Sequence, residues 1–401
     1  MNIYALPKDS HAWQNALSSV SYLLPDGAIN SIQSLKNLPI FAVVLVVGRA
    51  SMNELQASGR SLDDVMKSWV SEQRGWQVLP VADDAIAIAN AHHIQVSQTL
   101  SDVAVHRYLL IPTDNKDMNA DKREAAAHII DEQLTRYLKK TLKPKPNYNF
   151  QVDDTGQVMD FTIQQIGGVG DGYVDVHILS VAQMLRRHKL VCFDMDSTLI
   201  HQEVIVELAN MAGVADKVSK ITEQAMRGEI DFNESFAKRV ALLKGVDTSV
   251  VQEIIRTRIS FSQGAAATIS ALKAMGCRTV LISGGFEPFA KYVANTLGID
   301  KYYANPLIEK DGKLTGEVSD QIIDGKAKAR IVARLADEMS IDMEEVVCVG
   351  DGANDLPMMH ISDIGVAYKA KPIVRAKADA SVNISGLEGV LYAMGHRFDR
   401  V

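Results

Sequence analysis

Two carboxylates stand one residue apart where an apolar run ends. In "KLVCFDMDSTLI" (Lys189–Ile200) the stretch Leu190–Phe193 gives way to Asp194, Met195 and Asp196. In an extended chain residues i and i+2 point the same way, so both acids can face one crevice at the strand's carboxyl end. Two further apolar runs end alike. "TVLIS" leads into Ser283, Gly284 and Gly285, and "VVCVG" into Asp351, Gly352, Ala353, Asn354 and Asp355. Acids from several strand ends that share a small volume repel one another, and protonation or a cation must relieve that repulsion. A ligand set made only of oxygens favours Mg²⁺ over zinc. Such a cation also lets an anionic carboxylate approach an anionic phosphate. The Ser283 hydroxyl and the amides after it can donate to phosphate oxygens, and Lys328 supplies a point charge.

The elements that must position these groups are legible around them. From Lys189 onward, apolar runs of strand length ("KLVCFD", "CRTVLIS", "EVVCVGD", "DIGVAY", "ASVNI") alternate with helical patterns such as "GAAATISALKAMG" and "KAKARIVARLADEM". That alternation predicts an α/β fold with a parallel sheet covered on both faces. Residues 203–263 interrupt the rhythm with helical patterns that carry Met226, Phe232, Phe236 and Val240 among charges, which predicts an inserted helical cap. "LIEKDGKLTGEV" predicts a hairpin turning at Asp311-Gly312. The N-terminal part offers a strand in "PIFAVVLVV", one helix from Met52 into "VSEQ", a strand near 76–80, and further elements in "RYLLIP", "KREAAAHIIDEQLTRYLKKTL" and "MDFTIQQI". "KPKPN" (143–147) and the glycine-rich "GGVGDG" (167–172) are expected loops; the latter lacks the strand–turn–helix context of a dinucleotide site. The boundary is placed near 185, giving an α+β accessory domain over 1–185 and a catalytic domain over 186–401.

Composition narrows the class. The chain has 401 residues, 47% apolar and 23% charged, with a net charge of −7 and no basic tract, which speaks against a nucleic-acid partner. No apolar run approaches the ~18 residues that span a bilayer, and the N-terminus shows no signal-peptide pattern, so a cytoplasmic protein without a membrane partner is expected. Cys192, Cys277 and Cys348 lie far apart inside apolar segments, consistent with a reducing compartment and with small apolar packing roles. His201 adjoins the acidic loop but has no hydroxyl nucleophile to serve.

"DMDST", "SGG", Lys328 and "GDGANDLPM" together resemble the four ordered motifs of the haloacid dehalogenase superfamily, over about 200 residues. The resemblance implies a Rossmann-like core. It makes Asp194 the nucleophile of an aspartyl-phosphate and Asp196 the acid that protonates the leaving group and then activates water. It rests Mg²⁺ on Asp194, the backbone carbonyl of Asp196, and Asp351, and it sets Ser283, Gly284, Lys328 and Asn354 around the phosphate, with Asn354 and Asp355 orienting the cluster. An aspartate at the third motif position, where transporting ATPases of the superfamily carry threonine, points to hydrolysis of an alkyl phosphate, whose leaving group needs a general acid.

The insert resembles that of phosphoserine phosphatases, enzymes of serine biosynthesis. By that resemblance Glu203 and Arg239 hold the ammonium and carboxylate of O-phospho-L-serine, and Met226 and Phe232 shield the site. The same residues leave open transfer to another alcohol such as homoserine, or another small phosphate ester; a binding protein without catalysis fits poorly with the complete acid set. The N-terminal region is compatible with a small ligand-binding module of the ACT type and equally with a purely oligomerising role in a homodimer. Every residue assigned to chemistry lies between Asp194 and Asp355, so residues 1–185 are expected to be dispensable for the chemical step.

Overall fold

The computed structural model describes residues 40–73, 76–81, 86–87, 102–113, 120–142, 147–152, 158–164, 174–396 and 398–399. The expected loop "GGVGDG", most of "KPKPN" and the side chain of Met226 lie outside the described residues.

The N-terminal unit is built from β1 (Phe41–Gly48), α1 (Arg49–Ala57), α2 (Leu62–Gln73), β2 (Trp76–Pro80), β3 (Val103–Pro112), α3 (Ala120–Thr141), the hairpin β4 (Asn147–Val152) and β5 (Val158–Gln164), and β6 (Val174–Ser180). Its antiparallel sheet has the order β2-β3-β1-β6. Apart from the β4–β5 hairpin, and with two helices in its first crossover, this follows the β-α-β-β-α-β pattern. The single helix expected from Met52 onward is two. Gly59 takes φ +73°, a left-handed conformation that ends α1. Ser61 then starts α2 by reciprocal capping: its hydroxyl accepts from the Asp64 amide at 3.1 Å, while its own amide donates to the Asp64 carboxylate at 2.9 Å.

A short helix, α4 (Val181–Leu185), leads into the second unit. Its elements are β7 (Leu190–Phe193), the helices α5 (Val204–Met211), α6 (Ala215–Met226), α7 (Phe232–Ala241) and α8 (Ser249–Thr257), then α9 (Ala265–Ala274), β8 (Arg278–Phe286), α10 (Glu287–Leu297), β9 (Lys301–Asn305), the hairpin β10 (Glu309–Lys310) and β11 (Lys313–Leu314), α11 (Gly325–Met339), β12 (Val346–Gly350), α12 (Leu356–Met359), β13 (Ile364–Tyr368), β14 (Ala380–Val382) and α13 (Gly389–Ala393). The expected parallel sheet is present in the order β9-β8-β7-β12-β13-β14. Its edge strand β9, half-buried and rich in tyrosine, was not among the expected strands. The hairpin turns at Asp311 and Gly312, both with positive φ.

Strand order reverses around β7, whose neighbours are β8 and β12, and that reversal opens a crevice at the carboxyl ends of the strands. Both faces of the sheet are buried. Leu190 and Cys192 pack with Val332 and Leu335 of α11, while Val191 and Phe193 pack toward the cap and α9 side. Cys192 and Cys348 are register partners on adjacent strands, fully buried and unbridged, and pack as small apolar residues.

The four cap helices hang from two paired linkers. The His201 amide donates to the Ser260 carbonyl at 3.0 Å, the Ser262 amide donates to the Leu199 carbonyl at 2.9 Å, and the Ser262 hydroxyl donates to the Thr198 carbonyl at 2.6 Å. His201 itself, with Nδ1 3.1 Å from the Ser260 hydroxyl, fastens this hinge.

The two units share a core. One face of the N-terminal sheet (Phe41, Val43, Leu45, Val47) packs under Val65, Trp69 and Leu134. The other (Ala42, Val44, Val46, Leu109, Leu179) joins the cluster that contains Leu387, Val390 and Leu391. Asp175 of β6 is nearly fully buried there and accepts from the Asn383 and Ile384 amides and the Asn383 side chain, at 2.8 to 3.0 Å. The chain divides near residue 185 in sequence, but the apolar interior does not. No helix among the described residues is long and apolar enough to cross a membrane.

Candidate active site

β7 ends at Phe193, so Asp194 and Asp196 sit in the turn after the strand rather than in the strand itself. The chain coils there: the amides of Thr198, Leu199 and Ile200 converge on the Met195 carbonyl, and Ser197 takes φ +58°. This turn, not strand alternation, brings both carboxylates to one cavity of about 890 Å³ between the sheet and the cap. The Asp194 amide donates to the Val349 carbonyl at 2.9 Å, fixing the turn to the neighbouring strand β12.

Asp194 is buried, and one of its oxygens accepts from Lys328 Nζ at 2.5 Å. Lys328 is fully buried on α11 and also donates to Asp355 at 2.6 Å. The Asp324 carboxylate caps that helix by accepting from the Ala327 amide at 2.7 Å, which sets the phase of its first turn. Asp355 has no exposed surface and accepts from the Gly352 amide at 3.0 Å. A Cβ on Gly350 would fall 2.4 Å from the Asp355 carboxyl carbon, so glycine at the end of β12 is what lets Asp355 turn back under the strand.

One carboxylate oxygen from each of Asp194, Asp351 and Asp355 lies within 4.8 Å of the others. Asp355, expected among the converging acids and, by the resemblance, to orient the cluster, is one of its three acids. Burial, first of all, and then Asp355 and Glu203 push the Asp351 carboxyl up to about 7. Asp194 is held well above the usual carboxylate range by burial and by Asp355, against the opposing pull of Lys328. Two like charges beside one ammonium leave an excess of negative charge, and three hard oxygen donors in that position fit a small divalent cation. Asp196 is also pushed well above the usual range, by burial and then by Glu203 and Asp194; it accepts from the Val204 amide at 3.4 Å.

Ser283 and Lys328 do not line the cavity wall; both are fully buried behind it. The Ser283 hydroxyl accepts from the Gly285 amide at 2.8 Å, so that amide is engaged within the turn. Gly284, Gly285 and Asn354 do line the cavity. A Cβ on Gly285 would approach Asp196 Oδ2 to 3.0 Å, so the turn passes directly against the second aspartate.

The cap supplies the opposite wall. Glu203, the residue before α5, accepts from the Ser197 hydroxyl at 3.1 Å. Arg239 on α7 is half-buried, its Nε donating to the Ser235 carbonyl at 3.3 Å; burial lowers its pKa while Glu203 and Asp196 oppose that. Phe232 stacks on Phe236 with ring centroids 6.2 Å apart and lies against Gly284 of the core. The cavity therefore has a carboxylate-rich floor and a cap wall carrying Glu203, Asp231 and the Arg239 guanidinium.

Sequence reasoning missed several positioning groups. Asn305 is buried; its amide donates to the Gly284 carbonyl at 2.8 Å and accepts from the Ile323 amide at 2.8 Å, tying the glycine turn to the segment before α11. The Asn233 side chain donates to Asp324 at 3.4 Å, joining cap to core at the cavity. Thr198 reaches Asp351 at 3.5 Å. None of these carries a local signal, since each partner is distant in sequence.

Fold and site together are those of a phosphoryl-handling α/β hydrolase, and residues 188–363 match the haloacid dehalogenase-like hydrolase family. A probable phosphoserine phosphatase of Schizosaccharomyces pombe is 47% identical over 224 residues, 55% of this chain and 75% of that protein. The phosphoserine phosphatase of Streptomyces coelicolor is 42% identical over 222 residues, 55% of this chain and 54% of that one. A crystal structure of a probable phosphoserine phosphatase from Vibrio cholerae, in unliganded form, superposes with a TM-score of 0.58 at 25% identity, covering 94% of this chain and 93% of that one. The chain belongs to the phosphoserine phosphatase family of haloacid dehalogenase-like hydrolases.

Proposed function

We propose that this protein hydrolyses O-phospho-L-serine to L-serine and inorganic phosphate through an aspartyl-phosphate on Asp194. The observation that carries this reading is the placement of two kinds of wall around one cavity. Asp194 and Asp196 lie on the floor beside the glycine turn, and Glu203 and Arg239 stand on the cap. Phosphate belongs on the floor, and an amino acid's ammonium and carboxylate belong on the cap.

The Asp194 carboxylate attacks phosphorus as the bond to the serine oxygen breaks. Asp196, held above the usual carboxylate range by burial and by Glu203, gives a proton to the departing serine oxygen. It then takes a proton from the water that attacks the aspartyl-phosphate, and Asp194 and phosphate are released. Lys328 holds Asp194 in place and offsets charge on the transferring group. The reading assigns Mg²⁺ to Asp194, Asp351 and the backbone carbonyl of Asp196, beside Asp355; when bound, it neutralises phosphate charge so that an anionic carboxylate can approach. Gly284 and Asn354 bound the phosphate end, Ser283 braces the turn, and Phe232 shields it from water. Three buried cysteines, none of them in a disulfide, support a reducing cytoplasmic setting.

Phosphate release from L-phosphoserine, with Mg²⁺ and after EDTA, tests the reading. It predicts turnover that chelation silences and Mg²⁺ restores. Turnover in a rigorously metal-free assay contradicts the metal assignment, and no turnover of phosphoserine beside a panel of small phosphate esters contradicts the substrate.

A further inference from the structure

Ser235 sits on α7 one helical turn before Arg239, on the face that also presents Phe232 and Phe236 to the cavity. It is only 1% exposed, yet its hydroxyl has no hydrogen-bond partner. This is unusual for a helical hydroxyl, which commonly bonds back to the carbonyl four residues earlier. Thr222, Thr257 and Thr268 in neighbouring helices do so, at 2.7 to 3.0 Å. At Ser235 the Asp231 carbonyl four residues back takes only the Ser235 amide, at 3.0 Å. A buried orphan hydroxyl costs stability. A helix position that only needed filling would be served better by alanine, which has the higher helix propensity and no polar atom.

The neighbours indicate what the hydroxyl is for. The Ser235 carbonyl accepts from Arg239 Nε at 3.3 Å, which draws the guanidinium back along the helix toward the same wall. Phe232 and Phe236, on the same helix, stack on each other and offer no competing acceptor. Asp194 and Gly284, at the phosphate end, line the same cavity, and Phe232 of the same helix lies against Gly284. From these relations we infer that Ser235 is a further specificity-determining residue, whose hydroxyl donates to the carboxylate of the amino-acid substrate beside Arg239. The inference rests on the phosphoserine reading above and deepens it. The hydroxyl has almost no surface in the empty cavity, so it turns about its Cα–Cβ bond to meet the carboxylate when the substrate arrives.

The test is Ser235→Ala in the full chain, measured with L-phosphoserine as substrate and with phosphoethanolamine, which lacks the carboxylate, as competing inhibitor. KM for phosphoserine should rise about ten- to a hundredfold, the range for losing a hydrogen bond to a charged group, with a smaller change in kcat. The inhibition constant of phosphoethanolamine should stay within about twofold, and the melting temperature should be unchanged or higher. An unchanged KM, or equal weakening of both ligands together with a lower melting temperature, overturns the inference and makes Ser235 a structural residue. If the unmodified protein does not turn over phosphoserine at all, the function reading itself has failed, which is a separate and distinguishable result.

Discussion

The Lys328 ammonium lies 2.5 Å from a carboxylate oxygen of Asp194, and Lys328 has no exposed surface. The same ammonium reaches Asp355 at 2.6 Å, so one buried cation holds two buried acids at the floor of the cavity. The pair is not there for stability, because desolvating ions consumes much of what their attraction returns. It fixes the Asp194 carboxylate in one place, as the proposed attack on phosphorus requires.

Removing the cation alone should therefore be severe. Lys328→Met is expected to cost ~3–5 kcal/mol in denaturant unfolding at pH 8 in EDTA, the usual range for leaving a buried charge unpaired. The loss should shrink toward pH 5, where the stranded Asp194 carboxyl, already held above the usual range, takes up a proton. A variant as stable as the parent at pH 8 would mean the acids are solvated in solution.

Arg239→Ala should separate recognition from chemistry. The guanidinium is half-buried and faces Glu203 and Asp196. Loss of a charge-assisted contact to the substrate carboxylate should lower kcat/KM for phosphoserine roughly ten- to a hundredfold. A phosphate ester without a carboxylate should lose much less. Equal losses on both esters would assign Arg239 to cap packing.

His177 lies in β6, fully buried between the two units, with neither ring nitrogen hydrogen-bonded. Burial holds its imidazole down at about 4, against 6.5 in an unfolded chain. Above pH 6.5 both states are neutral and the residue adds no pH dependence. Below it the unfolded chain takes up a proton that the folded protein refuses, so stability drains from pH 6.5 down to about 4, by at most ~1.4 kcal/mol per pH unit. His177→Leu should accordingly gain melting temperature over the parent as pH falls from 8 to 5. A gain that does not vary with pH rules out this titration.

A fragment spanning 186–401 keeps every residue around the cavity and loses the sheet that covers Leu387, Val390 and Leu391. It also strands Asn383 and the Ile384 amide, whose partner Asp175 is removed. Folded fragment should turn over phosphoserine with kcat within about tenfold of the full chain, a barrier change of roughly 1.4 kcal/mol. It should also melt earlier and aggregate at concentrations where the full chain stays dispersed. Circular dichroism and light scattering on both proteins check this; equal melting curves would show that the shared core contributes nothing.

The site was legible where chemistry is local. Asp194 and Asp196, Gly284 and Gly285, and Asp351, Asn354 and Asp355 each follow directly on an apolar run, and the structure puts them at adjacent strand ends. The reason given for the first pair was incomplete, since the coil around Met195, not strand alternation, aims the two acids. Asn305, Asn233 and Ser235 left no trace in the sequence, because each matters through partners 18 or more residues away or through a partner that it lacks. In the N-terminal unit β6 was missed for a related reason. Its "VDVHILS" alternates like a strand facing water, whereas Asp175 and His177 are buried against the second unit. Only the assembled core makes those polar residues interior.

The proposed reaction turns on attack of Asp194 at phosphorus. The most direct measurement is phosphate release from L-phosphoserine by Asp194→Asn beside the parent protein, at saturating Mg²⁺, with circular dichroism confirming that both are folded. Asparagine keeps the shape and removes the nucleophilic oxygen anion. Turnover should fall at least a thousandfold. A folded Asp194→Asn protein that retains more than a thousandth of the parent rate would contradict covalent catalysis at Asp194.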